Sequence, residues 1–156
     1  AGLADVKTIA GTNDWGHQDG TGTNARFADV QDMKVDSNGD LILVDNQRIR
    51  KVSGAQVTTI KQLNRNLHGL DIDSSGDYYL SARWSNQLYK YDVSEDIVRT
   101  LIDSDGNAGT VNGPISEAKI SSPQDVLLTS AGELLFAEPG NSQIRKVDFI
   151  NKIRIN

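Results

Sequence analysis

The chain has 156 residues, of which 21 are Asp or Glu and 16 are Lys or Arg, so its formal net charge at pH 7 is −5. This acidic balance argues against a nucleic-acid partner, because binding to a phosphate backbone requires a basic face. The sequence contains no cysteine, which excludes disulfide bonds and thiolate metal ligands. It also has no apolar run long enough to cross a bilayer, so we expect no membrane insertion.

One pattern of short strands around a glycine turn occurs three times. The first copy reads QDMKVDSNGDLILVDNQRIRKV, which is a strand, a tight turn, an apolar strand and a third strand. The copies occupy residues 31–52, 68–92 and 124–148, with turn glycines at Gly39, Gly76 and Gly132. Three separate domains of about fifty residues would each be marginal in stability, so we predict a single domain over residues 1–156.

A fourth strand accompanies each copy. Its pattern is V-x-T-(I/L), found at residues 6–9, 57–60 and 98–101, and residues 152–155 hold the same place after the third copy. Short runs rich in β-branched residues are typical of strands. The predicted units are therefore four-stranded and span about 5–53, 56–94 and 97–149, with 152–156 as a further outer strand.

The segment between the fourth strand and the next copy varies in length. Residues 11–27 and 103–120 are long, polar and rich in glycine, whereas the middle unit has only residues 61–67 at this place. Insertions at one equivalent position of a repeat protein emerge on one face, which is often the binding face.

The second strand of each copy is almost continuously apolar, at residues 41–44, 78–80 and 134–137. A strand buried on one side would alternate, so this pattern indicates burial on both sides, as in stacked blades. The predicted fold is all-β: a β-propeller of four-stranded antiparallel blades, of which about three are present. Propellers close with four to eight blades. The chain is therefore expected to be a segment of a longer propeller or a half that pairs with another copy.

Three motifs carry a resemblance to a known family. They are D-G-x-G-x-x-A-x-F at residues 19–27, the turn D-x-x-G-(D/E/N), and R-I-R-K-V at residues 48–52. Together they resemble the NHL repeat of β-propellers; the third unit repeats the pattern and the middle unit is degenerate. The resemblance implies a six-bladed ring, of which this chain is about half, and more often binding than catalysis. It also favours an extracellular or periplasmic location, although the N-terminus lacks a signal-like segment.

Two features that suggest chemistry have structural explanations. The acidic turns at residues 36–40 and 71–77 superficially resemble a calcium loop, but the twelfth position, where a bidentate Glu is needed, is Ala82. A hairpin turn with Gly at positive φ explains them better, and no metal or other cofactor is predicted. Arg50 and Arg145 occupy equivalent positions, and we expect them to lie between blades and to pair with Asp45 or Glu138.

The candidate site residues lie in loops. They are Trp15, His17, His68, Arg83, Trp84 and Asn86. Trp and Arg are favoured at binding hot spots, although Trp84 could instead pack between blades. His17 is expected on a solvated loop, and His68 lies at the mouth of an innermost strand. No nucleophile motif is present and the two histidines form no cluster, so no catalytic residue is assigned.

These residues support three functions. The first is a non-catalytic binding or scaffold module that presents loops on one propeller face to a protein or glycan partner. The alternative is a metal-assisted lyase or hydrolase at the central channel, completed by residues outside this chain. The third is an architectural role, in which the chain self-associates or joins missing blades to close the ring.

Overall fold

A computed structural model describes residues 2–149 and confirms the predicted all-β fold of β-propeller type. The strands are β1 Gly20–Thr21, β2 Val30–Val35, β3 Leu41–Asp45, β4 Arg48–Ser53, β5 Gln56–Gln62, β6 Gly69–Ile72, β7 Tyr78–Ala82, β8 Gln87–Asp92, β9 Ile97–Asp103, β10 Val126–Leu128, β11 Leu134–Glu138 and β12 Gln143–Val147. Short 3-10 turns occupy Gly22–Asn24, Arg83–Ser85 and Pro139–Asn141. The chain divides into two compact units, Ala1–Asn64 and Arg65–Asn156.

The first unit contains blade 1, an antiparallel sheet in the order β2-β3-β4-β5, to which β1 adds a short fifth strand beside β5. Val35 pairs with Leu41 in the β2–β3 hairpin, and Leu41 pairs with Val52 in the β3–β4 hairpin. The outer strand β5 includes the V-x-T run at residues 57–60. The V-x-T run that follows the other three strands is therefore the outer strand of blade 1.

The strand predicted at residues 6–9 is wrong. These residues form no strand, and the side chain of Val6 is fully exposed. A β-branched run becomes a strand only where a neighbouring strand offers free backbone groups. In the first unit, the outer edge of the sheet beside β5 pairs instead with β1.

The hairpin turns form as predicted. Asp36 Oδ1 accepts hydrogen bonds from the backbone N–H groups of Asn38 (2.8 Å) and Asp40 (3.0 Å). Gly39 adopts φ +83°, a left-handed conformation that favours glycine. The Asp36 carboxylate therefore stabilises the turn, and the same arrangement recurs around Asp73.

The second unit contains blade 2, in the order β6-β7-β8-β9, and blade 3, in the order β10-β11-β12. The outer strand predicted for blade 3 at residues 152–156 lies outside the described residues. Blade 2 is reached from β5 by only six residues, 63–68, whereas the long insertion precedes blade 3. The difference in insertion length read from the sequence is confirmed.

Because side chains alternate along a strand, each blade has two faces. We call one of them the leading face. It carries the last residue of the first strand of the blade, which is Leu128 in blade 3. Val126 and Phe136 lie on the same face of blade 3. The opposite, trailing face carries Leu88 and Tyr79 in blade 2. The trailing face of blade 2 packs on the leading face of blade 3, and these residues belong to an apolar core of the second unit.

Polar contacts accompany this packing of blade 2 on blade 3. Asp71 Oδ2 accepts a hydrogen bond from the backbone N–H of Leu128 (2.6 Å), and Ser81 Oγ donates one to the carbonyl oxygen of Gln124 (2.7 Å). Ala118 and Ile120, from the end of the insertion, contribute apolar side chains to the same core. The insertion is thus part of the interface between blades 2 and 3.

The second strands differ in burial. Every residue of β7 is buried, and so is every residue of β3 after Leu41. In β11, buried residues alternate with the half-buried Leu135 and Ala137. The predicted burial on both sides therefore holds for β3 and β7 but not for β11, because no described residues cover the trailing face of blade 3.

Candidate functional site

Three candidate residues of blade 2 lie together, and we call them the ring cluster: His68, Arg83 and Trp84. His68 immediately precedes β6, whereas Arg83 and Trp84 begin the 3-10 turn between β7 and β8. The Arg83 guanidinium carbon lies 4.7 Å from the centroid of the Trp84 ring. The His68 and Trp84 rings meet edge to face, with centroids 5.8 Å apart. A long hydrogen bond of 3.4 Å from the Arg83 backbone N–H to His68 Nδ1 joins the two segments.

Within the ring cluster Trp84 faces solvent, whereas His68 and Arg83 are half-buried. Trp84 is 68% exposed, which excludes the interpretation that it packs between blades. Arg83 has no carboxylate at ion-pair distance among residues 2–149. The strand that leads into the 3-10 turn of the cluster is packed, because Ser81 and Ala82 are fully buried. The cluster therefore combines an exposed indole face with a half-buried guanidinium that has no carboxylate partner among the described residues.

This arrangement has a definite chemical capacity. An indole offers a large, rigid contact surface with little conformational freedom to lose. A guanidinium presents a planar fork of N–H donors that matches carboxylate, sulfate or phosphate oxygens. Because Arg83 stacks on Trp84, one ligand could contact both groups, with a flat or apolar face on the ring and acceptor oxygens at the fork.

Asn86, a fourth candidate, is engaged within the protein. It takes a left-handed conformation, with φ 55°, at the end of the 3-10 turn. Its Oδ1 atom accepts a hydrogen bond from the backbone N–H of Ser122 (2.8 Å), and its carbonyl oxygen accepts one from Ser104 (3.1 Å). Asn86 therefore fixes both ends of the inserted loop next to the ring cluster, at the same end of the second unit.

Trp15 and His17, the candidates of the first unit, form a second aromatic pair. Their ring centroids are 5.5 Å apart in an edge-to-face arrangement, and Trp15 is 70% exposed. The expectation that His17 lies on a solvated loop is wrong: its side chain is 19% exposed and its Nδ1 atom lies 3.7 Å from Asp45 Oδ2. His17 is held there because the insertion folds back over the buried carboxylate of Asp45.

Arg50 explains why the first insertion folds back. The Arg50 and Asp45 side chains are fully buried and form an ion pair of 2.8 Å, as predicted. Arg50 also donates hydrogen bonds to the carbonyl oxygens of Arg26 (2.6 Å) and Gln18 (2.8 Å). The expected position between blades therefore needs refinement, since the guanidinium lies under the insertion and binds its backbone.

Asp19, the first residue of the D-G-x-G motif, completes this anchor. It accepts hydrogen bonds from Arg50 Nη2 (3.1 Å) and from the Thr59 hydroxyl (2.8 Å) and backbone N–H (3.0 Å). Partial burial opposes ionisation of the Asp19 carboxyl, but the hydrogen bonds from Thr59 and Arg50 outweigh burial and lower its pKa. The Asp19 carboxylate of the D-G-x-G motif is therefore bound by Arg50 and Thr59 of the sheet and holds the insertion in place.

Blade 3 holds its insertion with an arginine in the same way as blade 1. Arg145 lies 3.3 Å from Glu138, the predicted partner, and donates hydrogen bonds to the carbonyl oxygens of Lys119 (2.6 Å) and Val111 (2.8 Å). Glu138 in turn accepts a hydrogen bond from the backbone N–H of Ser121 (2.9 Å). Blade 2 has Tyr89 at the position equivalent to Arg50 and Arg145, and no long insertion precedes it.

Two kinds of feature are absent from the part of the chain that the structure describes. Within residues 2–149, no three His, Asp or Glu side chains are grouped so that they could hold a metal ion. In the same range, no helix has the length and apolarity needed to span a membrane.

Comparison with known proteins supports the fold. No family model matches the chain. Over 79 residues it is 33% identical to Protein SUPPRESSOR OF QUENCHING 1, chloroplastic, from Arabidopsis thaliana, a match that covers 51% of this chain and 7% of that protein. The chain thus spans a small part of this relative.

Three solved structures resemble the chain. A Bacteroides thetaiotaomicron protein of unknown function has a TM-score of 0.66 and 19% identity, over 70% of this chain and 32% of its own. An auxiliary nutrient binding protein from Bacteroides ovatus has a TM-score of 0.62 and 14% identity, and the match covers 90% of this chain and 36% of that protein. Virginiamycin B lyase from Staphylococcus aureus has a TM-score of 0.53 and 16% identity, and the match covers 80% of this chain and 42% of the lyase. At these identities the likeness shows a β-propeller-like fold, and the chain spans less than half of each structure.

Proposed function

We propose that this chain is a non-catalytic binding module of an NHL-type propeller, whose loops contact a protein or glycan partner. The observation that carries the proposal is the ring cluster, in which the exposed indole of Trp84 is stacked with a guanidinium that lacks a carboxylate partner. Trp and Arg are among the residue types that dominate binding energies at interfaces.

The surroundings of the ring cluster support this role. The inserted loop is fixed beside the cluster through Asn86, so the cluster and the loop together form a contact surface on one side of the second unit. Binding surfaces built on buried strands keep their geometry without a partner, which lowers the entropic cost of association. By this proposal the chain acts outside the cell or in the periplasm, as the NHL resemblance favours.

The structural neighbours include both a nutrient binding protein and a lyase. The likeness to the lyase gives the enzyme alternative less support than binding, since residues 2–149 supply no cluster of metal-ligating side chains. Such a cluster would have to be completed outside the described residues.

The test is a binding screen on arrays of neutral glycans, acidic glycans and peptides. We expect Trp84→Ala to weaken binding of the selected ligand by at least about 30-fold, because a hot-spot residue contributes about 2 kcal/mol or more. Trp15→Ala, which removes an equally exposed indole from the first unit, is the matched control and should leave affinity unchanged. Unaltered binding by Trp84→Ala would refute the assignment of this site.

A further inference from the structure

An exposed Asn-Gly pair, Asn112 and Gly113, lies in the insertion that precedes blade 3. Gly113 has φ +146°, and open space surrounds the position that a Cβ atom would take. Its backbone N–H donates no hydrogen bond to any of residues 2–149. Glycine also has no side chain that would hinder attack by its own nitrogen. The Gly113 nitrogen is therefore available to react with the side-chain carbonyl carbon of Asn112, the residue directly before it.

Arg145 binds the side-chain amide of Asn112. Its Nη2 atom donates hydrogen bonds to Asn112 Oδ1 (3.0 Å) and to the Val111 carbonyl oxygen (2.8 Å). Because arginine has only donors, the amide oxygen faces it and the amide nitrogen does not. A charged donor at this oxygen stabilises the negative charge that develops there when a nucleophile attacks the amide carbon. Arg145 is therefore placed to promote attack on Asn112.

The insertion of blade 1 has an aspartate at the equivalent place. Arg50 Nη2 donates hydrogen bonds to the Gln18 carbonyl oxygen (2.8 Å) and to Asp19 Oδ1 (3.1 Å), as Arg145 does to the two corresponding atoms of its own insertion. Asp19, like Asn112, is followed by glycine. Conversion of the Asn112 amide to a carboxylate would therefore give Arg145 the ion pair that Arg50 forms with Asp19.

We propose that Asn112 is a site of spontaneous deamidation, activated by Arg145, and that its aspartate product completes the anchor of this insertion. The Gly113 nitrogen loses its proton to solvent and forms a bond to Asn112 Cγ. The bond from Cγ to the side-chain nitrogen breaks, and this nitrogen leaves as ammonia with a proton taken from solvent. The product is a cyclic succinimide, and neither an oxidant nor a reductant is required.

Water then opens the succinimide at one of its two carbonyl carbons. Attack at Cγ breaks the bond to the Gly113 nitrogen and yields a normal aspartate, whereas attack at the backbone carbonyl yields iso-aspartate. In sum, the amide and one water give a carboxylic acid and ammonia. Because Arg145 donates to the oxygen on Cγ, it favours attack at that carbon. We therefore expect aspartate to be the main product at this site.

Asn38 and Gly39 provide a matched control within the same chain. This pair is also exposed, but the Gly39 N–H donates a hydrogen bond to the Asp36 carbonyl oxygen (3.1 Å). Peptide mapping by mass spectrometry, after incubation of the folded chain at mildly alkaline pH, measures both sites in one sample. We expect Asn112 to react about 10-fold faster than Asn38. This factor is below the roughly 10²–10³ of a buried oxyanion-hole donor, because solvent surrounds the site.

The same measurement in guanidinium chloride corrects for the influence of neighbouring residues on the two rates. Unfolding removes the contact with Arg145, so the ratio of the Asn112 rate to the Asn38 rate should fall about 10-fold. Arg145→Met should lower the ratio similarly in the folded chain, with circular dichroism as the check on folding. A ratio that is unchanged or higher in the unfolded wild-type chain overturns the proposal, and this comparison requires no variant.

Asn112→Asp tests the role of the product, because it supplies the carboxylate directly. We expect it to raise the melting temperature by up to about 3 °C, as an added ion pair near the surface does in a chain of this size. Asn112→Gln is the control, since it retains an amide, closes a ring more slowly and should not gain stability. A lower melting temperature in Asn112→Asp than in wild type would show that the product does not complete the anchor.

Discussion

Replacing Arg50 with Met is expected to destabilise the first unit strongly. The substitution preserves the aliphatic stem but removes the guanidinium, which is fully buried and binds Asp45, Asp19 and two backbone carbonyls of the insertion. It leaves the buried Asp45 carboxylate without its counterion. Removing one partner of a buried ion pair costs about 3–5 kcal/mol. For a chain of this size, such a loss lowers the melting temperature by roughly 6–20 °C.

Two measurements follow the effect of Arg50→Met. Urea denaturation gives the free energy of unfolding, and hydrogen exchange shows whether amides of residues 11–27 lose protection before the β-sheet does. The control is Arg48→Met, on the same strand, where the side chain is half-buried and no comparable loss is expected. Its change should stay within about 0.5 kcal/mol. A change in Arg50→Met no larger than that of the control would refute the view that this arginine anchors the insertion.

Two further predictions concern the second unit. Gly69→Ala should lower the free energy of unfolding by about 1–3 kcal/mol in a denaturant titration, because the new Cβ would lie 2.7 Å from the Gln124 carbonyl oxygen and 2.8 Å from Ser81 Oγ; wild-type stability would contradict this close packing. Burial and the hydrogen bond to Asp96 raise the pKa of Tyr91 to about 12, so the unfolded phenol ionises first and the stabilisation is lost as the pH rises from about 10 to 12. Tyr91→Phe should show a smaller decline in stability over that range, and an unchanged decline would count against the assignment.

The strands and turns could be predicted because their causes are local. Gly39 and Asp36 specify a hairpin through a left-handed backbone and side-chain hydrogen bonds, and both are visible in five consecutive residues. Residues 6–9 carry the same strand signal as residues 57–60 but form no strand. A segment with high β-propensity forms a strand only where another strand is available to pair with it. The identity of that neighbouring strand cannot be read from the local sequence.

The site was less accessible to sequence reasoning. The sequence predicted the pairing of Arg50 with Asp45, but not that the guanidinium would bind carbonyl oxygens of the insertion, since backbone groups leave no residue-specific signal. The stacking of Arg83 on Trp84 could have been suspected from their adjacency. The approach of His68 depends on β6 and β7 being neighbours, which only the folded register shows.

The way in which the insertions are held has a consequence for engineering. Arg50 and Arg145 bind backbone carbonyl oxygens of the loops, which every amino acid possesses. Most other loop side chains are therefore free to change while the path of the loop at its anchor points is preserved. A library randomised at the exposed positions of residues 105–117, except Asp105 and Asn112, whose side chains bind Arg65 and Arg145, should yield a large fraction of folded members.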